Sequence, residues 1–218
     1  MNKTLKYLEK INNQISKNNN YLKFDLFNNA YLINLDSRID RLSHSIKELN
    51  KVNIKYTRFP GLIFKDKGKY ESIGARGCAE SHLTIIENNH NSKSPFLIIE
   101  DDIIIANYFN KIADFIKIIP KEYDLLFFYN TFRKNNNIKW LKAAPFGTHF
   151  YIINNKSVDK ILNLSKNNNL VIDKFYMNSQ FISYSTSISF VKQSTNFNTD
   201  IQYKNIKSKY RYNPSFIE

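Results

Sequence analysis

Cysteine is nearly missing from this sequence: Cys78 stands alone among 218 residues. That excludes an internal disulfide framework and a cysteine-based zinc site, and Cys78 itself reads as a small buried residue without a redox role. Glycine and proline are equally scarce, five of each, which argues against a fold dominated by loops. No apolar run approaches the ~20 residues that span a bilayer. The opening MNKTLKYLEKINNQ lacks the apolar stretch of a signal peptide. A soluble, cytoplasmic protein in a reducing compartment is the expectation. Acidic residues are outnumbered 19 to 32, leaving a net charge of +13. Such a balance favours an anionic partner. The charge is spread along the chain and no nucleic-acid module is recognisable, so nucleic acid is not expected to be that partner.

What is present is aromatic and aliphatic bulk, with 17 Phe, 14 Tyr and 42% hydrophobic residues, enough for one domain with a sizeable core. Asn-rich runs at 17–20, 134–137 and 166–169 read as surface loops. Apolar segments rich in strand formers lie at 30–35, 54–61, 96–100, 124–130, 148–154 and 187–193. Helical periodicity fills the intervals, with a helix opening near Ser37 through a Ser37/Asp40 capping box, and others over 77–90, 107–119 and 155–165. The last of these is expected to be capped by Asn154 or Asn155. Strand and helix alternate, which predicts an α/β fold with a mostly parallel sheet and helices on both faces. Residues 30–218 form the single domain. Residues 1–29 stand apart as a short basic amphipathic helix and an Asn-rich linker. That helix either packs on the domain or makes a peripheral contact with a membrane surface.

One stretch resists a purely structural reading. In FLIIEDDIII (96–105), three consecutive acids interrupt an apolar run. In an open α/β sheet, ligands gather at the carboxyl ends of strands. Extended backbone would turn Glu100 and Asp102 to one side and Asp101 to the other. An acid-x-acid pair there suits a hard divalent cation, Mn or Mg, that bridges a diphosphate. The same acids could instead cap a following helix.

Around this stretch the sequence resembles glycosyltransferase family 25, the lipooligosaccharide and procollagen galactosyltransferase family, from about Ala30 to Gln202. The resemblance rests on INLDSRIDR (33–41), GCAESH (77–82), FLIIEDD (96–102) and GTHFYIINNKSVDKIL (147–162), with echoes in VID (171–173) and NTDIQ (198–202). Ser37 departs from the family's usual Arg or Lys. The resemblance implies a GT-A type, Rossmann-like nucleotide-binding fold, a UDP-sugar donor such as UDP-galactose, a divalent cation and an inverting hexose transfer. The acceptor would be a hydroxyl on a glycan, glycolipid or glycoprotein. The alternative is a catalytically inactive nucleotide-sugar or glycan binder of the same fold.

Within that frame Asp102 and Glu100 are the expected metal ligands, with Asp101 as an alternative ligand or donor contact and Glu100 also near the ribose. Arg38 and Arg41 suit a diphosphate, because a planar guanidinium donates two hydrogen bonds at once. Asn34 and Asp36 are candidates for the base or ribose. Ser81 and His82 are expected at a helix start, where free amides favour an anion. Asp173 is the expected general base, with Asp200 and Glu80 in reserve; alternatively it caps a helix that follows it.

Overall fold

A computed structural model of the chain describes residues 25–131, 138–178, 180–198 and 200. The expected amphipathic helix near the N-terminus and the Asn-rich run at 134–137 lie outside the described residues. Among the described residues there are nine strands: β1 Ala30–Asn34, β2 Thr57–Pro60, β3 Phe96–Glu100, β4 Ile103–Ile105, β5 Leu125–Phe127, β6 Trp140–Leu141, β7 Phe150–Ile153, β8 Ser183–Thr186 and β9 Val191–Gln193. The helices are α1 Ile39–Lys51, α2 Ile73–Asn88, α3 Ile112–Ile116, α4 Val158–Ser165 and α5 Ile172–Tyr176.

Seven strands form one sheet in the order β2-β1-β3-β7-β5-β8-β6, and β4 pairs with β9 in a separate ribbon. Strands β2, β1, β3, β5 and β8 run in one direction, while β7 and β6 run against them. The mixed α/β class and the mostly parallel sheet are therefore as the alternation of segments implies. Strand β3 is the buried centre. Phe96, Leu97, Ile98 and Ile99 have no exposed surface, in line with a strand covered on both faces.

Chain order fixes where the helices go. From β1 the chain crosses to β2 on one side, then returns past β1 to β3 on the other. Right-handed crossovers in opposite directions place α1 and α2 on opposite faces. The contacts agree: Tyr31 hydrogen-bonds Asn89 at the C-terminal end of α2 and Tyr151 meets His82 in its middle, whereas α1 reaches the chain beyond β3 through Ser45 and His44. The aromatic residues fill the layers. Phe27, Phe109, Phe128 and Phe150 meet edge to face, a favoured geometry for aromatic quadrupoles.

Several boundaries differ from the expectation. Helix α1 starts at Ile39 with Arg38 as its N-cap and no capping side chain, because Asp40 is taken by the Arg38 guanidinium. Helix α2 starts at Ile73, where the Ser72 side chain accepts from Ala75 N. The expected helix over 107–119 splits into a 3-10 turn, Phe109–Lys111, and the short α3. Asn154 does cap, but through Lys156 N at a 3-10 turn before α4. Strands β4, β6 and β8 had no sequence expectation, α5 is the helix expected as an alternative at Asp173, and the expected strand at 187–193 shrinks to β9.

Candidate active site

The reversal of chain order around β1 creates a crevice at the carboxyl ends of β1 and β3, the usual ligand position in such sheets. A cavity of about 310 Å3 opens there, bounded by Asn34 at the end of β1, Leu62 and Phe64 after β2, Cys78 and His82 on α2, and Glu100 at the end of β3 with Asp101 and Asp102 after it. A second cavity of about 370 Å3 lies beyond β3, bounded by Gly147, Thr148, Val171, Asp173 and Phe197. Arg41, Cys78, Glu100, Asp102 and Gln193 border both. The acids thus form the partition between two compartments.

Their arrangement departs from extended backbone. Strand β3 ends at Glu100, and Asp101-Asp102 turn the chain into β4. The alternation argument therefore does not apply, yet Glu100 and Asp102 still face both cavities. Asp101 is committed elsewhere: its two oxygens accept from Asn34 Nδ2 at 2.7 Å and Arg41 at 2.9 Å. Each oxygen is thus engaged once within the protein, while the residue still borders the first cavity. Burial raises the Asp101 carboxyl despite Arg41 and Asn34.

Asp102 is almost wholly buried. It is 5% accessible, and its Oδ2 accepts from Gln193 at 3.0 Å and Arg41 at 3.3 Å. Its Oδ1 is buried with no hydrogen-bond partner. Burial and the neighbouring Glu100 charge push its carboxyl up to about 7. Glu100 accepts from Thr148 Oγ1 at 2.6 Å. Burial alone would raise Glu100, but His82, Thr148 and His149 outweigh it and hold the carboxyl below its ordinary value. Three acids in sequence are met here by one guanidinium, Arg41. An orphaned carboxylate oxygen beside a second carboxylate, with too little positive charge, fits a cation held through hard oxygen ligands.

The predicted residues separate into groups. Asn34, Arg41, Ser81, His82 and the three acids meet around the first cavity. Asp36 and Arg38 border neither cavity. Asp36 pairs with Arg58 at 2.5 Å, and Arg38 with Asp40 and Asp200 at 2.9 and 2.6 Å. Arg41 also donates to Asn198 O at 2.6 Å. Ser81 and His82 do not begin a helix. They lie in the middle of α2, where their amides are spent within the helix, so the anion-binding argument for them is withdrawn. Ser81 Oγ instead donates to Gly77 O and accepts from Leu62 N, tying the loop after β2 to α2. Asp173 opens α5 and borders the second cavity. Its oxygens accept from Lys174 N at 2.8 Å and Gly147 N at 3.3 Å, and burial raises its carboxyl. Glu80 bonds the Tyr70 hydroxyl and borders neither of these cavities. Gln193 and Thr148 were missed. Thr148 belongs to the GTHFYIIN block and was within reach, but nothing in VKQ marks Gln193 until β9 pairs with β4.

A crevice of this kind, at the switch point of a mostly parallel sheet, defines a ligand-binding α/β protein. Family comparison makes it specific. The model of glycosyltransferase family 25, described as an LPS biosynthesis protein, matches residues 27–136. That is just over half of the chain, which belongs to this family and is a glycosyltransferase, with a sugar donor and a glycan acceptor as its partners. The match spans β1 to β5 and every expected site residue except Asp173 and the reserve Asp200. No curated protein matches the chain by sequence. Similar solved structures include A197 from STIV, 13% identical over 81% of this chain and 98% of that one, with a TM-score of 0.43. They also include a glycosyltransferase involved in glycosylation of the major capsid of PBCV-1, 9% identical over 72% and 81% of the two chains, also at 0.43.

Proposed function

We propose that the protein transfers a hexose, galactose by family expectation, from a UDP-sugar to a hydroxyl of a glycan, glycolipid or glycoprotein, with inversion and with the aid of Mn or Mg in a GT-A type site. The observation that carries this reading is the orphaned Asp102 Oδ1 beside Glu100, on the wall shared by two cavities. The first cavity, between β1 and α2, takes the nucleotide. Its apolar lining by Leu35, Leu62 and Phe64 suits a base, and Asn34 stands at its floor. The second, with Asp173, takes the acceptor. Asp102 and Glu100 would hold the cation, which when bound supplies positive charge to the departing diphosphate. Arg41, already oriented by Asp101, adds a fixed guanidinium at the same wall.

Asp173 is suited to take the acceptor proton. Its raised carboxyl sits closer to working pH than a surface aspartate, and Gly147 N and Lys174 N hold its position. Thermal-shift screening of nucleotide sugars with and without Mn tests the reading. A UDP-specific shift that needs Mn is expected. Equal response to all nucleotides, or none to any, contradicts it.

A further inference from the structure

Cys78 and His82 are one turn apart on α2, so they share a helix face. That face meets the end of β3: Cys78 Sγ, a His82 ring nitrogen and a Glu100 oxygen all lie within 4.8 Å of one another. His82 has no exposed surface. Its Nδ1 bonds the Tyr151 hydroxyl at 2.8 Å, and that hydroxyl meets Tyr176 at 3.2 Å. Its Nε2 has no hydrogen-bond partner and stands 3.3 Å from Glu100 Oε1, out of alignment for a bond. A buried polar atom without a partner is costly, unless its lone pair has another use.

We propose that Cys78, His82 and Glu100 form a three-ligand site for a borderline divalent cation of the zinc class. Around a tetrahedral zinc, nitrogen, oxygen and sulfur ligands sit about 3.3–3.6 Å apart. His82 and Glu100 already have that separation, and Cys78 is within 4.8 Å of both. Thiolate and imidazole select zinc or cobalt over the magnesium and manganese that suit carboxylates alone. Tyr151 supplies the outer partner that fixes which imidazole nitrogen faces the ion. Cys78 and Glu100 border both cavities, so the fourth position is open to solvent or ligand. The single cysteine led to the expectation of no cysteine-based zinc site; that count excludes only a site of several thiolates, and the proposed mixed set, which needs one, departs from it.

This site does not depend on the transferase reading. That reading turns on Asp102, which is not in the trio. Glu100 belongs to both, so zinc at the trio withdraws a ligand from the hard-cation position and the two ions compete.

Cobalt is the probe. Because Cys78 is the only cysteine in the chain, a thiolate-to-cobalt charge-transfer band can arise from no other residue. The expected result on the full chain is a band that saturates near one equivalent and is displaced by zinc. It should vanish in Cys78→Ser and persist in Asp102→Asn. In His82→Gln the affinity should fall at least about tenfold, the loss that follows removal of even an outer partner. Near-ultraviolet circular dichroism of each variant establishes that the fold is kept. Absence of the band in the folded wild-type protein overturns the proposal, as does equal cobalt affinity in folded Cys78→Ser.

Discussion

Asp173 shows how much a single carboxylate can be asked to do. It is fixed by two backbone amides, one on each oxygen, and borders the second cavity, so its replacement by Asn preserves shape but removes the proton acceptor and one of those two bonds. Asp173→Asn should lower turnover by about 10²–10⁴-fold and leave UDP affinity unchanged, as read by steady-state kinetics alongside calorimetry. Unchanged turnover removes it from the mechanism. Asp124 makes a purely structural contrast. Burial alone would raise its carboxyl, but Lys160, Ser157 and Ile182 N, at 2.5–2.7 Å, hold it below the ordinary value. A folded-state value below the unfolded one stabilises above the unfolded value, near 4, and that stabilisation is lost as pH falls through the folded one. Thermal melts from pH 6 to 2 should therefore show a flatter acid limb in Asp124→Asn. At pH 7 the variant should be less stable by about 1–3 kcal/mol. A wild-type acid limb retained in the variant contradicts this assignment.

At the scale of elements, the close approach of α2 to the loop after β2 shapes the first cavity. A Cβ on Gly77 would lie 2.5 Å from the Leu62 carbonyl oxygen, and Ser81 clips the same loop. Gly77→Ala should displace that loop, cost about 1–3 kcal/mol by overpacking, and weaken nucleotide binding more than Asp173→Asn does. Chemical denaturation and nucleotide titration check both halves, and a variant of wild-type stability refutes the packing argument. This region also shows what was legible beforehand. The β3 run FLIIE announces a buried strand, and the acids after it announce a site, because burial and charge are written in residue type. The start of α2 was not legible. ESIGARG has weak apolar periodicity, and its signal is one Ser72 cap followed by Gly74 and Gly77, both poor helix formers. That misplacement gave Ser81 and His82 free amides they do not have. Strand β8, SYST, was invisible for another reason: its hydroxyls are buried between β5 and β6, and only tertiary pairing makes such a segment a strand.

For the whole molecule, the net charge of +13 and the acid-rich partition point in opposite directions. On the proposed reading a basic surface would draw in an anionic donor, and the acids would need a cation between themselves and its diphosphate. No helix among the described residues is long and apolar enough to cross a membrane. The most direct test is calorimetric titration of UDP into wild-type protein and Asp102→Asn, each with and without Mn. The account predicts that Mn strengthens UDP binding at least about tenfold in the wild type, some 1.4 kcal/mol, and has no such effect in the variant. UDP affinity that is indifferent to Mn in the wild type, or equally strengthened in Asp102→Asn, would contradict it.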